Sequence, residues 1–126
     1  MLQGHIIVVD DNAGIRRLIY EILNQEGYMV ETAQNGVECL NKIEAKKPDL
    51  IILDAKMPGK NGLDIAKEVK MSNPDLPIII ITAYNEITTI NDALENGTIE
   101  YFLTKPFDLN MVRDIVNKLI KSKNYK

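Results

Sequence analysis

The sequence predicts an α/β domain: a doubly wound, parallel sheet of five strands in the order 2-1-3-4-5, with five helices around it. Short β-branched runs alternate with longer segments of helical period, the pattern of repeated strand–helix units. Four of the runs are almost wholly apolar, as strands covered by helices on both faces must be. Right-handed crossovers between parallel strands then favour this strand order.

The first strand covers residues 6–9 and runs into Asp10 and Asp11. A helix follows Asn12, with Ile15, Leu18, Ile19, Ile22 and Leu23 on one face, and Gly27 ends it as a C′ glycine. Residues 28–33 alternate apolar and polar side chains, which suits a strand at the sheet edge. The second helix spans residues 37–45, and Pro48-Asp49 punctuates the chain before the third strand, residues 50–53, which ends at Asp54. Residues 57–62 have loop composition. Leu63, Ala66 and Val69 mark the third helix, stopped by Asn73-Pro74. The fourth strand, residues 78–81, ends at Thr82. Ile87, Ile90, Ala93 and Leu94 mark the fourth helix, which stops at Asn96-Gly97. The fifth strand, residues 101–104, ends at Lys105-Pro106. Asp108 caps a last helix whose buried stripe is Leu109, Val112, Ile115, Val116 and Leu119. The lysine-rich tail, residues 118–126, reads as a solvated, fraying end.

The 126 residues suit a single domain, 1–126, with no output domain attached. A formal net charge of -3, from 15 basic and 18 acidic residues, gives no broad polyanion-binding surface, which argues against nucleic acid as a direct partner. No stretch suits a bilayer, and the N-terminus lacks the basic and apolar regions of a secretory signal, so a cytoplasmic location is expected. Cys39 is alone and lies in a helical apolar pattern, which makes it a packed small residue, with no disulfide or cysteine metal site.

In a parallel sheet the carboxyl ends of the strands share one edge, where open α/β sheets bind ligands. That edge would gather Asp10, Asp11, Asp54, Thr82 and Lys105. Any one of these alone is a routine strand-end or capping residue. Three carboxylates in one pocket, however, repel one another unless a cation is present, and magnesium prefers hard oxygen ligands. The set therefore suits magnesium-assisted transfer of a phosphoryl group to a carboxylate. Such transfer depends mainly on positioning and charge stabilisation, which a metal, the Lys105 ammonium and the Thr82 hydroxyl would supply. Pro106 fixes the chain direction beside Lys105 and can hold it at the pocket rim.

Val9-Asp10-Asp11, Leu53-Asp54 with Met57-Pro58 and Gly62, Thr82-Ala83 and Lys105-Pro106-Phe107 together resemble the receiver domain of two-component response regulators, over essentially the whole chain. The resemblance implies a flavodoxin-like fold in which Asp54 takes a phosphoryl group from a phosphohistidine. Asp11, Asp54 and the backbone carbonyl of Lys56 would bind magnesium, with Asp10 helping through water. Thr82 and Lys105 would contact the phosphoryl oxygens. Within the family, Gly14-Ile15-Arg16, Lys56, Thr82-Ala83-Tyr84 and Lys105-Pro106-Phe107-Asp108 are similar to stand-alone receivers of sporulation phosphorelays. This implies a sensor histidine kinase as donor, a histidine phosphotransferase as acceptor and an aspartyl-phosphate phosphatase as a further candidate partner. The chain would be a monomer, carrying phosphate through an aspartyl-phosphate intermediate rather than acting as an independent turnover enzyme.

The segment from Gly97 to Lys105 is one residue longer than receivers usually carry. Counting back from Lys105 puts Phe102 at the aromatic switch position, whereas counting forward from Thr82 gives Tyr101. Phe102 is favoured, because strand register beside the lysine is harder to shift than loop length. The surface around the pocket, formed by Ile15, Leu18, Lys56, Tyr84, Phe102, Pro106 and Phe107, is the expected partner face, although Ile15 and Leu18 also fit a core role. A different class of reading is a phosphorylation-switched binding module that docks to a target, as chemotaxis receivers do. A phosphohydrolase of the haloacid dehalogenase type needs an acid two positions after the nucleophile, where this chain has Lys56. A flavin carrier on this fold needs a phosphate loop that is missing after the first strand.

Overall fold

Side chains along each strand alternate between two helical layers, and this period of two decides where the core lies. The computed structural model describes residues 4–57, 59, 61–83 and 87–124, the side chains of Ile87, Lys123 and Asn124 excepted. The strands are β1 (His5–Val9), β2 (Met29–Ala33), β3 (Leu50–Asp54), β4 (Ile78–Thr82) and β5 (Tyr101–Thr104). The helices are α1 (Ala13–Gln25), α2 (Gly36–Ala45), α3 (Gly62–Ser72), α4 (Ile87–Glu95) and α5 (Leu109–Asn124). All neighbouring strands pair in parallel, in the order β2-β1-β3-β4-β5, as the sequence predicts.

On one face Ile6, Val8, Ile52, Ile79 and Leu103 pack with Ile19 and Leu23 of α1 and with Val112 and Val116 of α5. On the other, Ile7, Val9, Leu53 and Ile80 pack with residues of α2, α3 and α4, among them Cys39, Ile65 and Ile90. Fully burying each such aliphatic side chain contributes about 1.5–3 kcal/mol before chain entropy is counted. Both edge strands are mostly half-exposed, β2 as its alternating sequence predicts and β5 against the expectation that its apolar run is covered on both faces. Among the described residues, no helix is long and apolar enough to cross a membrane.

The helix ends follow their local chemistry. Asn12 caps α1 by accepting from the Ile15 N–H at 3.0 Å, and Asn35 and Asn61 do the same for α2 and α3. Gly27 follows the C-cap of α1 with φ +95°, a conformation that glycine adopts without steric cost.

Four further expectations need correction. β1 begins one residue before the expected strand 6–9, at His5. Leu18 is 52 % exposed and Leu94 37 % exposed, so neither belongs to its helix's core stripe. Residues 118–124 of the expected fraying tail are instead the last turns of α5, with Ile120 buried at 3 % exposure. Val112, Val116 and Ile120 recur every four residues, so the apolar stripe continues beneath lysines that face water. Ile87, one of the residues that mark α4 in the sequence, has its side chain outside the described residues.

Candidate functional site

Strand register brings the predicted chemistry to one edge. Val9 lies opposite Leu53, so Asp10 emerges beside Asp54. Asp54 lies opposite Ile81, and Thr82 opposite Thr104, so Thr82 and then Lys105 follow on the same edge. Backbone hydrogen bonds extend the ladder past the strand ends. The Ala55 N–H donates to the Ile81 carbonyl at 2.8 Å, and the Lys105 N–H donates to the Thr82 carbonyl at 2.8 Å.

The carboxylates of Asp10, Asp11 and Asp54 each offer an oxygen within 4.8 Å of the others. Asp10 and Asp54 are buried at 1 % and 4 % exposure, while Asp11 is exposed. Asp10 Oδ1 accepts from the Asn12 N–H at 2.9 Å, whereas Asp10 Oδ2 is buried with no hydrogen-bond partner. Burial is the main force pushing the Asp10 carboxyl up to about 6, and the negative charge of Asp54 adds to it, against the opposing pull of the Asn12 N–H. An all-oxygen donor set with an orphaned buried oxygen suits a hard divalent cation. A neutral or anionic occupant would leave the carboxylate repulsion in place.

Lys105 Nζ stands 3.2 Å from Asp54 Oδ1, and the Lys56 N–H donates to the same oxygen at 3.4 Å. Thr82 is buried, and its hydroxyl donates to the Ala83 carbonyl at 3.3 Å. Asp54 therefore has two further carboxylates and an ammonium group close to its own, with a hydroxyl one residue beyond its strand partner.

The remaining predicted residues differ in exposure. Lys56 and Pro106 are exposed, as is Leu18. Ile15 and Phe107 are half-buried against the same α1 and α5 cluster, so both share in the core and in the surface. Phe102 packs against the α2, α3 and α4 side of the sheet and Tyr101 against the α1 and α5 side. Tyr84, expected on the partner face, lies outside the described residues. Cys39 is buried, which pushes its thiol up to about 12 and leaves it inert, as its sequence setting suggests. His5 lies at the opposite end of β1, with Nε2 2.7 Å from Glu31 Oε1.

The fold gives two residues of the quoted motifs a positioning role that spacing alone does not show. Arg16 Nη1 donates to the Asp10 carbonyl at 2.6 Å, holding the turn that carries both aspartates. Gly62 lies against Asp54 itself. A Cβ there would come within 2.3 Å of the Asp54 carbonyl oxygen and 2.9 Å of Ala55 Cα, and backbone atoms cannot turn aside. Gly62→Ala is therefore expected to cost about 1–3 kcal/mol, read as a lower urea midpoint. An unchanged midpoint would contradict this close approach.

Comparison with known proteins agrees with this geometry. The sequence model of the response regulator receiver domain matches residues 6–117. The chain is 40% identical over 124 residues to sporulation initiation phosphotransferase F of Bacillus subtilis (strain 168), covering 98% of this chain and 99% of that protein. It is 36% identical to the DNA-binding transcriptional regulator NtrC of Escherichia coli (strain K12), covering 95% of this chain but 25% of the regulator. Among solved structures, a response regulator receiver domain protein from Clostridium thermocellum superposes with a TM-score of 0.89 at 29% identity, covering 97% of this chain and 98% of that one.

Proposed function

The chain belongs to the response regulator receiver domain family of two-component signalling, and from that premise we propose that it is a phosphorelay intermediate. In this reading Asp54 accepts a phosphoryl group from a phosphohistidine of a sensor kinase and passes it to a histidine phosphotransferase. The observation that carries the reading is the buried Asp54 carboxylate, placed among two further carboxylates and 3.2 Å from an ammonium group.

An Asp54 oxygen attacks phosphorus, the P–N bond to the donor imidazole breaks, and the released nitrogen takes up a proton. The return step reverses these events on the acceptor histidine. Lys105 balances the charge that gathers on the phosphoryl oxygens, and the Thr82 hydroxyl donates to one of them after leaving the Ala83 carbonyl. Asp10, Asp11, Asp54 and the Lys56 carbonyl would hold magnesium, whose bound charge offsets carboxylate repulsion and screens the phosphoryl oxygens. Phe102 takes the switch position, without the hydrogen-bonding tip of a tyrosine or histidine.

Similarity along 99% of a sporulation phosphotransferase supports a role in initiating sporulation, with a phosphatase as a further partner. A cytoplasmic setting, where kinases draw on ATP, is part of the same reading. The test is direct: load the protein using ATP, magnesium and a sensor histidine kinase, remove the kinase, then add a histidine phosphotransferase. Label is expected to move to the phosphotransferase. Label that stays on Asp54 would replace the relay with a docking switch.

Lys56 adds a kinetic expectation. Two residues beyond Asp54, a long exposed cation can obstruct water approaching the acyl phosphate. Lys56→Asn is expected to shorten the phosphoprotein lifetime severalfold, followed by decay of label after the kinase is removed. An equal or longer lifetime would rule out this shielding.

A further inference from the structure

The groove between α2 and α3 is a second concave surface, distinct from the acidic cluster. Two hollows of about 760 Å³ and 490 Å³ share Leu40 as a lining residue, so they run together along the helix pair. Leu40, Ile65 and Val69 contribute apolar lining. Val37 lines the first hollow and is 69 % exposed, and Met71 lines the second and is 84 % exposed. Val37 stands at the start of α2 and Met71 near the end of α3, so exposed apolar side chains lie along the groove, and exposed apolar surface of this kind marks interaction sites.

Charge decides what fits. Carboxylates line both hollows, Asp11 and Glu38 in the first, Glu44 and Glu68 in the second. Among the described lining residues there is no lysine or arginine. Two lysines of these helices are engaged by other elements. Lys42 Nζ is 3.5 Å from Glu31 on β2, and Lys70 Nζ is 2.6 Å from Glu100 just before β5.

We propose that this groove docks a lysine- or arginine-rich amphipathic helix of a partner protein. Its apolar stripe covers Val37, Leu40 and Met71, and its cations meet Glu38 and Glu44 on the rim, the helix-in-groove mode of recognition. The 10 residues of α2 offer a length of about 15 Å, roughly three helical turns. An acidic helix of the same shape is repelled. Because Asp11 lines the first hollow, the docked helix ends beside the phosphoryl site, which makes the groove a means of selecting partners. The docking is independent of whether Asp54 carries phosphate.

The test is a titration of the isotope-labelled chain, followed by amide NMR, with a synthetic leucine–lysine amphipathic helix. A leucine–glutamate helix of the same pattern serves as control. The expected result is shifts in α2, α3 and the loop residues that line the groove, such as Gln34 and Gly59, for the lysine peptide and none for the glutamate peptide. Glu44→Lys and Val37→Gln, both at exposed positions, are expected to weaken binding about two- to five-fold each without altering the spectrum elsewhere. The proposal is overturned by shifts centred on α1 and α5, by no shifts, by an equal response to the glutamate peptide, or by variants that bind unchanged. Self-association of the chain through α2 and α3 would also overturn it, in favour of a second copy as occupant.

Discussion

Asp54→Asn is expected to abolish phosphoryl uptake while leaving the fold intact. The substitution keeps the volume of a side chain that is 4 % exposed and keeps an oxygen near Lys105, but removes the anionic nucleophile. Removing a nucleophile outright costs roughly 10⁴-fold or more in rate, because positioning and charge stabilisation alone cannot form the new bond. Mass spectrometry of the intact protein after incubation with kinase, magnesium and ATP reads the outcome. A phosphorylated Asp54→Asn protein would mean that the acceptor lies elsewhere, with Asp10 and Asp11 the first alternatives. Denaturation by urea separates lost chemistry from lost structure.

Asp10→Asn should have the second largest effect, on stability and in the opposite direction. In the folded chain the Asp10 carboxyl is raised from its ordinary 3.8 to about 6, chiefly by burial. The folded state therefore holds this proton more tightly than the unfolded one between those values. Asp10 favours folding at low pH, and the contribution is lost as pH rises through about 6. That rise from 3.8 to about 6 corresponds to about 3 kcal/mol. In metal-free buffer at pH 7, Asp10→Asn should then be more stable than the wild type by up to about 3 kcal/mol, with the gap closing towards pH 4. Magnesium should raise the melting temperature of the wild type at pH 7 and do so much less for the variant, since the variant has lost one carboxylate of the cluster. Parallel stability curves for the two proteins between pH 4 and 7 would mean that the buried charge carries no penalty.

The strand–helix alternation, the strand order and the catalytic edge are all legible in the linear chain. Apolar runs such as residues 78–81 have one plausible role in a domain this small, a strand covered on both faces. The residue that ends each run must then lie at the shared edge, so Asp10, Asp54, Thr82 and Lys105 could be named before any coordinate. Caps at Asn12 and Gly27 were equally local and equally readable.

What stayed hidden depends on contacts between segments far apart in sequence. Leu18 fits the apolar stripe of α1 by spacing, yet only the packed sheet decides that Ile19 and Leu23 are covered and Leu18 is left in water. Ile120 is disguised by the lysines around it and declared core by the cluster it joins with residues of α1 and the sheet.

The sequence by itself determined which groups reach the phosphoryl edge, because side-chain alternation and strand termination are properties of one strand at a time. The tertiary structure alone decided how those groups influence one another. The orphaned Oδ2 of Asp10, the Arg16 hold on its carbonyl and the tight seat of Gly62 all arise across separate elements. Desolvation and steric exclusion depend on everything within a few ångströms, and the folded arrangement sets those neighbours.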